Sequence, residues 1–161
     1  MKPVCLLADA MVWNYVAKAG CLGRFLESLR VTAKILPLVA GQLEKAVSSW
    51  PELSSVLQAI KAKQIECYEL SDEEHVLLMR LLDQHPGLGE ADCALLAVAS
   101  TQGWPLVTCD VALKKVARRL KIECIELTDV LDRALRSGSL TEADTQWVMY
   151  YSQGGQERRN R

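Results

Sequence analysis

The strongest constraint on the fold of this chain is the alternation of short apolar runs with longer amphipathic stretches. Helical spacing marks the stretches between the runs, and capping residues precede two of them, at Ser71 and Thr141. The runs that suit β-strands span residues 3–8, 33–36, 65–70, 105–109 and 122–127. Strands that alternate with helices form a parallel sheet with helices on both faces. The pattern therefore predicts an α/β fold with three layers, α/β/α, around a five-stranded parallel sheet.

The length of 161 residues suits one domain with a sizeable core. Half of the residues are hydrophobic and 24% are charged, as in typical globular domains. We expect a single domain over residues 1–152 and a flexible basic tail over residues 153–161. Six scattered cysteines without a Cys-x-x-Cys pair favour reduced core thiols over a zinc site or a disulfide framework.

Charge and hydropathy narrow the possible partners. Nineteen basic and twenty acidic residues give a net charge of -1, so no global cationic field attracts nucleic acid. The basic residues are nevertheless clustered, at 114–121 and near the C-terminus. No apolar run approaches the roughly 20 residues of a membrane span, and no signal peptide is recognisable. We expect a cytoplasmic protein that does not bind membranes and that contacts nucleic acid only locally.

Two aspartates follow predicted strands. Asp9 ends the first strand, and Asp110 follows the fourth. In open parallel sheets, ligands bind beyond the carboxyl ends of the strands, where the strand order reverses. Aspartate is also among the best N-cap residues, so capping explains either residue taken alone.

A third aspartate lies in a helix that is otherwise apolar. Residues 91–99 are hydrophobic on every face except at Asp92, so this helix is expected to be buried. One alternative is that backbone amides and the helix dipole satisfy Asp92, as they would Glu90 in the same turn. Converging carboxylates without a lysine partner otherwise repel one another unless a cation neutralises them, and hard oxygen ligands select Mg²⁺ or Mn²⁺. This interpretation predicts metal-assisted phosphoryl transfer.

Taken in order, these segments resemble the PIN domain family, and in particular its prokaryotic ribonuclease branch, which is related to the toxins of type II toxin-antitoxin pairs. The resemblance covers nearly the whole chain. It rests on the strand that ends at Asp9 and on the segments 37–44 (PLVAGQLE), 89–99 (GEADCALLAVA) and 106–118 (LVTCDVALKKVAR). It implies a metal site of three or four acids that hydrolyses RNA with Mg²⁺ or Mn²⁺.

The resemblance also assigns individual residues. The family's acidic positions, expected to act in metal binding and catalysis, fall on Asp9, Asp92 and Asp110. Glu44 is the expected fourth catalytic acid, and Glu90 is a substitute metal ligand. Gln42 occupies the slot where the family usually has its glutamate. Because a helix turns about 200° over two residues, Gln42 and Glu44 cannot both face the site.

Other side chains near these acids have two interpretations each. A basic helix face is either solvated or contacts phosphates of the nucleic acid, through Lys114, Arg118 and Lys121. Trp13 and Tyr15 either stack on bases or pack in the core. Thr108 either orients a ligand or ends its strand in a purely structural role.

The resemblance favours a metal-dependent endoribonuclease that acts on RNA as a toxin, is held in check by a protein antitoxin, and forms a homodimer. A catalytically silent PIN scaffold is the main alternative. Gln42 favours it, as does Met11, which stands where the family commonly has a small hydroxyl residue. A nuclease for structured DNA is a further alternative. An unrelated phosphatase or receiver fold is disfavoured, because no second aspartate lies two residues after Asp9 and no glycine-rich loop follows the first strand.

Overall fold

A computed structural model of the protein describes residues 5–159. Its strands are β1 (Cys5–Ala8), β2 (Thr32–Ile35), β3 (Glu66–Cys67), β4 (Leu106–Thr108) and β5 (Cys124–Glu126). They form a five-stranded sheet in the order β3-β2-β1-β4-β5, and every pairing in it is parallel. The order reverses between β1 and β4. The predicted α/β/α class and five-stranded sheet are confirmed, while residues 3 and 4 of the first predicted strand lie outside the described residues.

Helices connect the strands and cover the sheet. They are α1 (Ala10–Lys18), α2 (Leu22–Leu29), α3 (Pro37–Ala46), α4 (Ser54–Lys61), α5 (Asp72–Gln84), α6 (Glu90–Gln102), α7 (Val111–Arg119), α8 (Leu127–Arg136) and α9 (Glu142–Ser152). Both predicted capping boxes form, at Ser71 with Glu74 and at Thr141 with Asp144. In the described part of the chain, none of these helices combines the length and the apolar character that a bilayer span requires.

Several boundaries differ from the sequence prediction for local reasons. The third strand is only two residues long, because it lies at the sheet edge and the chain then turns into the Ser71 cap of α5. Cys67 in this strand is exposed rather than a core thiol. Helix α3 begins at Pro37, since proline is well tolerated at the first helical position. A 3-10 turn, Pro51–Leu53, precedes α4.

The core lies between the sheet and its helices. All four residues of β1 are buried. Helix α6 is buried continuously from Cys93 to Ala99, and this confirms the expectation drawn from its uniformly apolar sequence. Each fully buried leucine in it contributes roughly 1.5–3 kcal/mol through burial. The helix is therefore fixed in place, and Asp92 in its first turn has a defined position.

The described part of the predicted tail, residues 153–159, contacts the domain. The Tyr151 hydroxyl donates to the carbonyl of Glu157 at 2.9 Å and accepts from the backbone N–H of Arg159 at 3.1 Å. The Arg159 guanidinium also donates to the buried carboxylate of Asp144 at 2.7 Å. These contacts were not predicted, because they join residues that approach each other only in the folded chain.

Candidate metal site

Asp9 and Asp110 lie at the carboxyl ends of the two strands between which the order reverses. Ala8 pairs with Val107, and the Asp9 backbone N–H donates to the Val107 carbonyl at 3.3 Å. Each aspartate is also an N-cap. One oxygen of Asp9 accepts from the N–H of Val12, and one oxygen of Asp110 accepts from the N–H of Leu113, both at 2.9 Å. The capping interpretation is therefore correct for both residues, and the second oxygen of each carboxylate takes no part in the cap.

Thr108 joins the two aspartates. Its hydroxyl is buried, donates to Oδ2 of Asp9 and accepts from the backbone N–H of Asp110 at 2.9 Å. The side chain thus fixes the orientation of the Asp9 carboxylate relative to the loop that carries Asp110. The sequence left this role open; the signal for it was a hydroxyl residue two positions before a candidate ligand.

Asp92 approaches the same place from the first turn of α6. The pKa of its carboxyl is raised to about 6, mainly by burial and in addition by the charges of Asp9 and Asp110. Among the described residues it has neither a hydrogen bond nor an ion pair. The alternative in which backbone amides satisfy Asp92 is therefore wrong. Asp92 is therefore a half-buried carboxylate that only the dipole of its own helix favours.

The negative charges of the three aspartates repel one another. Burial raises the pKa of Asp9, the hydrogen bonds from Thr108 and Val12 lower it, and the charge of Asp110 raises it again. Lys114, which follows Asp110 by four residues, forms no ion pair with these aspartates and is paired with Glu126 at 3.0 and 3.1 Å. The arrangement concentrates negative charge at the switch point of the sheet.

Aromatic and thiol groups border this cluster. Burial raises the pKa of Tyr15, and Cys109, Asp9 and Asp110 add to the effect, so the phenol lies within reach of their charges. The pKa of Cys109 is raised to about 11, mainly by burial. Trp13 is fully buried and packs edge-to-face on Phe25 at 6.3 Å, so the base-stacking interpretation is wrong for this residue. For Tyr15, base stacking stays a prediction.

The remaining predicted acids, Glu44 and Glu90, have no resolved effect on the pKa values of Asp9 and Asp92. Both side chains are exposed. Gln42 is exposed as well. Because Val39 and Leu43 form the buried face of α3, Gln42 and Glu44 lie on opposite flanks of that face.

The predicted basic face is only partly formed. Arg118 is exposed on α7, whereas the ammonium of Lys114 is engaged with Glu126. Lys121 lies beyond the end of α7 with a left-handed φ of 60°. Lys121 shares no helix face with Lys114 and Arg118, because α7 ends at Arg119. This part of the prediction is wrong.

The donor set fits a hydrated divalent ion better than a fully enclosed one. Within residues 5–159, no three side chains of His, Cys, Asp or Glu are arranged to hold one metal ion together. Mg²⁺ commonly keeps several waters and is bound through one or two carboxylates. Asp92, which has no partner among the described residues, and the second oxygen of Asp110 meet that lower requirement.

Comparisons with known proteins define the class of fold. A chain of VapBC2 from Rickettsia felis, in a crystal structure bound to a DNA fragment from its promoter, has a TM-score of 0.59 and 16% identity, covering 76% of this chain and 98% of that one. PAE2754 from Pyrobaculum aerophilum has a TM-score of 0.58 and 21% identity, covering 83% and 96%. No family model matches the sequence, and no curated protein does. The chain has a PIN-like fold. The resemblance seen in its motifs is therefore confirmed as far as the fold is concerned.

Proposed function

We propose that this protein is a metal-dependent endoribonuclease that hydrolyses RNA phosphodiester bonds with Mg²⁺ or Mn²⁺. One observation carries the proposal. Asp9 and Asp110 follow β1 and β4 at the switch point of a parallel sheet, their charges raise the pKa of Asp92 in α6, and none of the three has an ion pair among the described residues. Such a cluster is costly to maintain unless a divalent cation neutralises it.

The roles of the individual residues follow from their surroundings. Asp9, Asp92 and Asp110 are the proposed ligands, Asp92 and Asp110 directly and Asp9 through water that the ion keeps, and Thr108 holds Asp9 in position. A bound Mg²⁺ or Mn²⁺ would lower the pKa of a water molecule and neutralise charge that develops on the phosphate. In the metal-free chain the pKa of Asp92 is raised to about 6 by burial and by the charges of Asp9 and Asp110, and a bound cation would relieve this repulsion.

The other predicted residues are proposed as additional acids or as phosphate contacts. Glu90, two positions before Asp92, and Glu44 on α3 are the proposed additional acids, and both are exposed enough to change rotamer. Arg118, and Lys114 when it leaves Glu126, are the proposed phosphate contacts. Lys121 keeps a proposed phosphate contact from the loop after α7.

The partners are proposed from the fold. One of the similar structures is of VapBC2, a PIN-domain toxin-antitoxin complex. We infer for this chain a toxin role in the cytoplasm, a protein antitoxin as its inhibitor, and a homodimeric state. The domain boundary that the sequence predicts, after residue 152, stays a proposal.

Cleavage of a labelled single-stranded RNA tests the proposal. The protein is expected to cut it with Mg²⁺ or Mn²⁺, to stop in EDTA, and to lose at least about a hundredfold in rate as Asp92→Asn. Asp83→Asn, on the exposed surface of α5, is the matched control and should cut normally. Cutting that persists in EDTA, or that Asp92→Asn leaves unchanged, contradicts the proposal.

A catalytically silent PIN scaffold that binds RNA or a protein is the second candidate. Two observations favour it: Gln42 occupies the slot of the family's glutamate, and the described residues contain no preassembled set of three metal ligands. A gel-shift assay separates the candidates. RNA that is bound in EDTA, and that stays intact when metal is added, identifies the scaffold.

A further inference from the structure

A cavity of about 620 Å³ lies near the C-terminal end of α1, away from Asp9. Lys18 in its wall follows Asp9 by nine residues, which is about 14 Å along a helix axis. The other walls come from the first turn of α2, the start of α4 and the C-terminal segment. The volume is in the range of small-ligand sites, which is roughly 300–1,000 Å³. This cavity is therefore distinct from the carboxylate cluster.

The charge of the cavity is positive. Lys18, Arg158 and Arg159 line it, against the single carboxylate of Glu52. Two of the cations are held in place by ion pairs: Arg158 donates to Glu52 at 2.7 Å, and Arg159 donates to Asp144 at 2.7 Å and to the carbonyl of Ala19 at 3.0 Å. The cations therefore belong to an ordered wall rather than to free surface side chains.

Lys18 is the cation without a carboxylate partner. No ion pair joins it to any of the described residues, and its ammonium lies 4.2 Å from the centroid of the Trp50 ring. The Arg158 guanidinium lies 4.5 Å from the same ring centroid. Burial lowers the pKa of Lys18, the charge of Glu52 raises it, and the charge of Arg158 lowers it again. An anion in the cavity would offset both the burial of the Lys18 ammonium and its repulsion by Arg158.

Neutral donors complete the wall. Helix α2 begins at Leu22 without any side-chain cap, and the N–H groups of a first helical turn attract anions. Gly23 is its second residue, and a Cβ placed there would meet nothing within 4 Å. Hydroxyl groups of Ser54 and Ser55 border the same space. The cavity thus offers an anion positive charge, hydrogen-bond donors and sufficient volume.

From this combination we infer that the cavity binds a phosphate group, carried either by a small phosphorylated molecule or by the end of a nucleic acid. The site uses no residue of the proposed metal centre. It holds its ligand by charge and hydrogen bonds alone, so binding requires no divalent ion. Its existence is independent of whether the protein cuts RNA.

Isothermal titration calorimetry in EDTA tests the inference. The probes are inorganic phosphate, a short RNA with a 5′-phosphate, and the same RNA without it, at ionic strength matched with chloride. We expect saturable phosphate binding, and tighter binding of the phosphorylated RNA if the source is a nucleic-acid end. Tighter binding of inorganic phosphate indicates a small ligand instead. Absence of phosphate binding over chloride overturns the inference.

Two variants and one control locate the binding. Lys18→Gln should weaken phosphate binding about tenfold, the loss typical of one charge-assisted hydrogen bond. Gly23→Glu should abolish it without loss of folding, because the side chain enters open space and a carboxylate in the first turn of a helix is favourable. Arg80→Gln, exposed on α5, should bind like the wild type. Equal binding by wild type and Gly23→Glu overturns the inference.

Discussion

Replacing Asp92 by asparagine should stabilise the metal-free protein while it removes the proposed function. The side chain is half-buried, faces the charges of Asp9 and Asp110, and has no hydrogen bond or ion pair among the described residues. Asparagine has nearly the same shape and no charge. The variant therefore relieves repulsion without creating a cavity.

The size and sign of the effect follow from the pKa. The carboxyl has an ordinary value of 3.8 and about 6 in the folded chain, which corresponds to roughly 3 kcal/mol at about 1.36 kcal/mol per pH unit. Solvent screening of a partly exposed group and the lost helix-dipole interaction reduce this to about 1 kcal/mol. A raised folded pKa means that the wild type loses stability as the pH rises from about 4 to 6. The advantage of Asp92→Asn is complete above that window and disappears below it.

Thermal unfolding in EDTA measures the effect. At about pH 7.5, Asp92→Asn should unfold about 2–4 °C above the wild type, and the difference should shrink at about pH 5. Added Mg²⁺ should raise the Tm of the wild type and leave that of the variant unchanged. Asp83→Asn controls for the loss of an exposed charge. A variant that is less stable than the wild type in EDTA at pH 7.5 refutes the reasoning.

Three further substitutions test individual contacts of the folded chain. Thr108→Val should cost about 1–3 kcal/mol in urea unfolding and should raise the pKa of Asp9, because a buried carboxylate oxygen loses its donor; Thr108→Ser should restore both. Glu74→Gln should cost about 1–3 kcal/mol at pH 7, since hydrogen bonds outweigh the burial of this carboxylate and lower its pKa, and the cost should vanish as the pH falls through that lowered pKa; an unchanged urea midpoint contradicts this. Gly155→Ala should speed amide hydrogen exchange in residues 153–159, because its Cβ would lie 2.3 Å from the Tyr150 ring; unchanged exchange contradicts this.

Much of the fold could be predicted from local signals. Capping boxes at Ser71 and Thr141 marked helix starts correctly, since they require only residues three positions apart. The length of β3 could not be predicted, because it depends on the position of that strand at the edge of the sheet. Lys121 was misplaced because a helix end is set by backbone geometry that the basic pattern does not encode.

The candidate site was predictable where strand ends define it. Asp9 and Asp110 follow β1 and β4, and the sheet order brings them together. The role of Thr108 as the bridge between them depends on strand register, which the sequence does not give. The contacts of Arg158 and Arg159 with Glu52 and Asp144 span more than 100 residues in one case and a helix in the other, so only the folded chain reveals them.

Binding of a divalent metal ion by the aspartate cluster is the central claim. Electron paramagnetic resonance of Mn²⁺ measures this binding directly, because bound ions lose the sharp signal of the free ion. The wild type and Asp83→Asn should deplete free Mn²⁺ saturably, and Asp92→Asn should do so at least about tenfold more weakly. Mn²⁺ that stays free with the wild type, or that binds Asp92→Asn equally well, would contradict this claim.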